Sequence, residues 1–401
     1  MNLYPLVTYE FGCFSGPVFI YSTGSIQFLC ITDPEKAKEI SLCTSLDLGK
    51  PSYLSTERGP LLGKGVLSSN GTYWVHQRKI IAPEFYLDKI KVMVNLMVES
   101  TTEMLKSWER KALSCGENVE ISIDEDMRAL SADIISRASF GSNYTEGERI
   151  FSKLRTLQNV MSSSKVGVPG LRHIPNAHNR KVWRLEKEIE TEILNIVQAR
   201  SGSKCERNLL KALLEAANIL KENGDLPEDI DSNKFIVDNC KNIYFAGHET
   251  TAISASWCLL LLAAHPDWQV CAREEVIQIC GDNIPDADML RRMKVLTMIP
   301  IPVLHQHPEL WGSDVKEFNP ARFEGGTAKA CKSPQAYMPF GVGTRTCVGQ
   351  HFAMMELKIM LSLILSNFSL SLAPSYNHCP AFKFVVQPGY GVHLNIKHLF
   401  E

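Results

Sequence analysis

The residues with the clearest chemical potential lie in Phe340-Gly341-Val342-Gly343-Thr344-Arg345-Thr346-Cys347-Val348-Gly349. This stretch sets a cysteine in a glycine-rich loop, two residues from an arginine and directly before a helical pattern. The helix reads from Phe352, Met355, Leu357, Ile359, Met360, Leu363 and Ile364, which recur at three- and four-residue steps. A thiolate at a helix N-terminus is stabilised by unpaired backbone N–H groups and by the helix dipole. Such a thiolate can ligate a metal from one side. A single soft ligand without partner cysteines or histidines points to an iron whose other ligands come from a porphyrin.

A lone cysteine is more often a small buried apolar residue than a ligand. The pattern F-x-x-G-x-R-x-C-x-G changes that weighting. Five fixed residues in ten positions arise by chance in roughly one chain in ten thousand. A second group, Ala246-Gly247-His248-Glu249-Thr250-Thr251, sits in a helical run from about Lys234 to Ala264, bounded by Asp231-Ser232 and His265-Pro266. Gly247 in mid-helix costs roughly 1 kcal/mol against alanine, so it marks a need for space or bending. A third group, Trp74 and Arg78, is spaced to share one helical face. A fourth is Phe318-Asn319-Pro320-Ala321-Arg322-Phe323.

The elements that must carry these groups are mostly helical. Amphipathic patterns predict helices over Leu87–Ser114, Ile121–Ala138 and Trp183–Arg200, and Asp33 caps one over Glu35–Leu42. Val18–Ile31 reads as two β-rich runs around a Thr-Gly-Ser turn. Ser162–Gly170 and Ser201–Lys204 read as loops, and Glu222–Asp225 as a solvated linker. The expected class is mainly α with small β-sheets. The chemical groups span Trp74 to Gly349, so residues 1–401 are read as a single domain.

Composition excludes several alternatives. A net charge of −2 gives no electrostatic case for nucleic acid. Twelve cysteines without a C-x-x-C pair give neither a zinc site nor a disulfide framework, and a reducing compartment follows. Phe11–Thr32 is free of charge, but its glycines, serines and proline argue against a membrane span.

Together the four groups resemble the signatures of the cytochrome P-450 family. The resemblance implies the family fold, a haem cofactor and insertion of one oxygen atom from O2 into a lipophilic small molecule. It implies that Cys347 is the axial thiolate and metal ligand, with Phe340 covering the sulfur. Gly343 and Gly349 would permit close backbone approach to the porphyrin. Arg345, with Trp74 and Arg78, would contact the haem propionates. Glu249 and Thr250 would deliver protons to the activated oxygen, which argues against an oxygen-independent isomerase of the same family. The implied partner is an NADPH-dependent cytochrome reductase. Full-length relatives would sit on the cytosolic face of the endoplasmic reticulum membrane, and the anchor helix is expected to be absent from this chain. Tyr21–Gly24, Gly65–Gly71, Ala82–Phe85 and Tyr337–Gly341 resemble plant members of the 72 clan, most closely its gibberellin-oxidising group, which acts on tetracyclic diterpenoid acids.

One family element is missing. No glutamate stands three residues before an arginine between Thr251 and Cys347; the nearest substitute is Asp288-Met289-Leu290-Arg291. A helical pattern over Pro285–Met298 runs straight into Ile299-Pro300-Ile301-Pro302, and the two prolines end any helix there. An internal deletion near Met298–Ile299 is therefore expected, as in an exon-skipped isoform or a faulty gene model. Arg322 would then lose its buried partners, at a cost of about 3–5 kcal/mol. The alternative expectation is a catalytically impaired variant that binds haem poorly.

Overall fold

The computed structural model describes residues 18–399 apart from 24–25, 32, 47–48, 52, 116–118, 142–143, 163–169, 201–207, 282–285, 287–304, 306–307 and 334–336. The predicted Pro285–Met298 helix, the junction after it and most of the two predicted loops lie outside the described residues.

The chain begins with β1 (Val18–Thr23) and β2 (Ile26–Ile31), paired antiparallel with Val18 opposite Ile31. Helix α1 (Pro34–Leu42) is capped as the sequence predicts, with Asp33 accepting the Lys36 N–H at 2.8 Å. Helix α2 (Gly71–Ile81) carries Trp74 and Arg78, and α3 spans Leu87–Cys115. The predicted helix over Ile121–Ala138 starts two residues late. Ile121 pairs with Leu394 in strand β3 (Val119–Ser122), so cross-strand pairing overrides the helical pattern there. Helix α4 (Ile123–Ile135) then continues through one wide turn, Ser136–Phe140.

Helix α5 spans Tyr144–Ser162 and α6 spans Ala177–Arg200. The latter begins earlier than its apolar pattern because the Asn176 side chain accepts the Asn179 N–H at 2.8 Å. Helix α7 (Leu209–Asn223) ends on Gly224 at φ 71°, so the predicted linker at Glu222–Asp225 is a helix C-cap. Helix α8 (Ser232–Ala264) is 33 residues long and α9 (Pro266–Cys280) follows at once. After the cysteine loop come α10 (Gln350–Asn367) and strands β4 (Phe368–Leu372), β5 (Pro380–Lys383), β6 (Val385–Pro388) and β7 (His393–His398). The sheets are small and antiparallel, in the orders β1-β2, β3-β7-β4 and β5-β6.

Helix α8 is the central rod. Phe235, Cys240, Tyr244, Ala252, Ala255 and Leu259 are buried on different sides of it. It packs along α4, where Phe140 stacks on Tyr244 with ring centroids 4.2 Å apart. Gly247 answers to space: a Cβ there would lie 2.6 Å from Cγ1 of Ile135. The helix continues unbroken through that position. Among the described residues no helix is long and apolar enough to cross a membrane.

The expectation for Arg322 is corrected. Its guanidinium donates to the Asp314 carboxylate at 2.7 Å and to the Trp311 carbonyl at 2.5 Å. Trp311, Phe323 and Tyr337 pack beside it, so this corner has its own small core. The acid that serves it comes from eight residues upstream, in the same segment.

Candidate active site

The cysteine loop is held from both ends by its own backbone. The Cys347 N–H donates to the Phe340 carbonyl at 2.8 Å, and Gly341 and Gly343 adopt φ 70° and 75°, the left-handed region that suits glycine. Gly349 directly precedes α10, so Cys347 lies just off that helix N-terminus. A Cβ added at Gly341 or Gly349 would meet nothing within 4 Å. The chain alone thus does not require the small residue at Gly349; a flat group lying against the loop would.

Cys347 is a free, exposed thiol. The protein beside it nevertheless desolvates the sulfur and pushes the thiol above its ordinary value, while the Gly349 N–H and the Arg78 charge act to lower it. A bound metal would convert the thiol to thiolate.

Helix α2 brings Trp74 and Arg78 to this loop. Arg78 donates to the Thr346 carbonyl at 2.6 Å. Arg345 lies 4.1 Å from the centroid of the buried Trp74 ring, and Arg78 lies 5.7 Å from it. Arg345 also donates to the Ser69 carbonyl at 3.2 Å and to Asn70 Oδ1 at 2.9 Å. Asn70 in turn brackets Lys50, accepting its N–H at 2.6 Å and donating to its carbonyl at 2.8 Å. Desolvation lowers the pKa of Lys50, Arg78 and Arg345, and Arg345 adds repulsion at Lys50 as Arg78 does at Arg345. No acidic side chain pairs with any of the three among the described residues. Asn70 and Lys50 were not predicted; only the proximity of Asn70 to the Trp74 helix hinted at the first.

This cluster fits a group bearing carboxylates. Two guanidiniums over one indole, with the Lys50 charge felt by Arg345, repel each other unless an anion joins them. The open face at Gly349 and the thiol beside it complete a donor set suited to haem.

Glu249 and Thr250 are arranged differently from the expected acid–alcohol pair. Thr250 is exposed and its Oγ1 donates to the Ala246 carbonyl at 2.6 Å. Glu249, its neighbour, is buried at 2% exposure. Its carboxylate lies 3.5 Å from Arg128 Nη2 and 3.6 Å from His248 Nδ1. Arg128 also donates to Gln387 Oε1 at 2.9 Å. Burial, then the charges of Arg128 and Arg155, push His248 down to about 3, so it is neutral. No hydrogen bond joins Glu249 to Thr250 among the described residues. Spacing could not reveal Arg128, which arrives from α4 some 120 positions upstream.

A separate cleft of about 540 Å³ opens between Ser55–Lys64 and the start of α6, with Met161, Trp183 and Lys234 in its wall.

Comparisons with known proteins place these observations. The family model described as Cytochrome P450 matches residues 4–300 and 297–395, two stretches that meet at 297–300. The chain is 46% identical to Cytochrome P450 714C2 of Oryza sativa subsp. japonica, over 96% of this chain and 81% of that one. That alignment runs over 426 positions against 96% of 401 residues, so roughly 40 positions stand opposite no residue of this chain. It is 40% identical to Cytochrome P450 714A2 of Arabidopsis thaliana, over 95% and 81%. Among solved structures, the cytochrome P450DA heme domain superposes with a TM-score of 0.76 at 22% identity, covering 96% of this chain and 90% of that one. A second, Cytochrome P450 (CYP102L1), gives 0.79 at 22% identity, covering 98% and 97%.

Proposed function

The chain belongs to the cytochrome P450 family and is a monooxygenase, and from that premise we propose that Cys347 holds haem for oxidation of a gibberellin-type diterpenoid acid. The observation that carries the reading is the pair of guanidiniums over Trp74, beside the free thiol and without acidic partners among the described residues. When bound, haem with a thiolate on its iron supplies activation of O2 and insertion of one oxygen atom.

The chain's own residues do the rest. Arg78 and Arg345 neutralise the carboxylates and fix their orientation, and Lys50 adds charge from the other side of Asn70. Trp74 gives those cations a flat apolar platform. Thr250 commits its hydroxyl proton to the Ala246 carbonyl, so its oxygen offers lone pairs as a hydrogen-bond acceptor on the exposed side, and it hands on a proton only when that bond is released. Glu249 takes part in relay only by leaving Arg128; that pair holds the acid in a fixed resting position.

Electrons come from NADPH through a cytochrome reductase, and the protein works at the cytosolic face of the endoplasmic reticulum membrane. The cleft beside Lys64 and Trp183 serves as the approach for a lipophilic substrate. We also infer that a segment carrying E-x-x-R is lost between Met298 and Ile299. The two-part family match and the unmatched positions of the relative support this reading. Sequencing the transcript across that join tests it: reads joining Met298 directly to Ile299 establish a genuine isoform, and reads that carry an inserted E-x-x-R coding stretch show that the expressed protein has the segment.

The substrate is tested by incubation with reductase, NADPH, O2 and gibberellin-type acids. A product one oxygen atom heavier is expected. Turnover of other lipophiles with none of these acids would overturn the assignment.

A further inference from the structure

Four polar side chains on the first half of α8 are buried against the Pro60–Asn70 segment and have no part in the site described above. Asp238, Asn239, Lys241 and Asn242 are each no more than 2% exposed. Burial of so many polar groups is unfavourable unless each finds a partner, and an irregular segment needs partners for its own N–H groups. Each need answers the other here. Asp238 accepts the Lys64 N–H at 2.8 Å, Asn239 accepts the Val66 N–H at 3.1 Å and Asn242 accepts the Leu67 N–H at 2.8 Å. Asn242 also donates to the Leu62 carbonyl at 2.6 Å. Lys241 Nζ lies 3.0 Å from Asp238 and donates to the Pro60 carbonyl at 3.5 Å. From α2, Gln77 closes the far side by donating to the Lys64 carbonyl at 3.1 Å.

The fit is tight enough to exclude side chains. A Cβ at Gly63 would overlap the Asp238 carboxylate, and one at Gly65 would overlap the Asn242 amide. The segment ends at Ser69 and Asn70, whose carbonyl and side chain accept the two donors of Arg345. Hydrogen bonds therefore tie α8 to residues 62–67, and the same short segment, two residues on, carries the acceptors that hold the guanidinium over Trp74. Asn242 and Thr250 lie eight residues, about 12 Å, apart on the same rod.

We propose that Asp238, Asn239 and Asn242 are positioning residues that set the Arg345 guanidinium over Trp74 and so tune the site for the haem carboxylates. This rests on the haem reading given above. It assigns the D-N-x-K-N stretch of α8 a role at the Arg345 end of the site, separate from that of Thr250 on the same helix.

The test is a double-mutant cycle on the full chain. In the haem-free protein, Asn242→Ala is expected to speed amide exchange at residues 64–70 and also at Thr346 and Cys347. In an Arg345→Ala background the effect on Thr346 and Cys347 should vanish. Asn239→Ala, which removes a single cross-segment bond, serves where the first variant fails to fold. Haem affinity, read by tryptophan quenching, should fall about tenfold for Asn242→Ala, the scale of one charge-assisted hydrogen bond. It should fall no further in the double variant than in Arg345→Ala alone. Exchange that rises at 64–70 while Thr346 and Cys347 stay unchanged would overturn the proposal, as would losses in affinity that multiply. A wild-type chain that takes up no haem would overturn the haem reading, while the exchange result would still decide the clamp.

Discussion

Replacing Arg128 with methionine isolates the role of the buried pair behind Thr250. Arg128 and Glu249 side chains are 9% and 2% exposed, so solvent screens neither. Removal of one partner from a buried pair costs about 3–5 kcal/mol, because the remaining charge stays desolvated. Arg128 also donates to Gln387, which would lose its partner at about 1–3 kcal/mol. Arg128→Met should therefore fall in the upper part of that range by urea denaturation, with an unchanged m-value. Arg128→Met/Glu249→Gln removes the stranded charge and should recover about 2–4 kcal/mol, leaving the Gln387 loss. Additive losses in the double variant, or a single-variant loss under about 1 kcal/mol, would show that the pair does not hold Glu249 in place.

Two further substitutions probe the frame of the site. Gly247→Ala gains roughly 1 kcal/mol of helix propensity but sets a methyl against Ile135, so a net loss of about 1–2 kcal/mol is expected in denaturant melts, and a gain would contradict the close α4–α8 contact. Glu356, on the helix after Cys347, is fully buried, and desolvation raises its pKa well above the usual carboxylate range despite the Ser131 hydroxyl. The unfolded chain ionises there first, so wild-type stability falls as pH rises from the ordinary carboxylate value toward the raised one. Glu356→Gln should remove that slope, matching wild type near pH 4 and exceeding it near pH 7; parallel profiles would refute it.

The local signals in the chain were strong where one segment carries a motif entire. The cysteine loop, the Asp33 and Asp231 caps and the long run of α8 all depend on neighbours within a few residues. Trp74 and Arg78 were legible as a helical face, and their meeting with Arg345 could be anticipated only through family resemblance. Arg128 against Glu249, and Asn70 against Arg345, join residues more than a hundred positions apart. No periodicity encodes such pairs. Ile121 was misassigned for the same reason, since its strand exists only because β7 returns from the far end of the chain. Arg322 shows the converse: a role inferred from an absent partner failed because Asp314, close in sequence, supplies another.

On the proposed reading, Cys347 places a thiolate on haem iron beside the Arg78–Arg345 cluster. The reduced, CO-bound difference spectrum of the haem-loaded chain tests it most directly. The long-wavelength Soret band of a thiolate ligand is expected, lost in Cys347→Ala and kept in Thr250→Ala. Haem bound one to one without that band, or a band that survives Cys347→Ala, would contradict it.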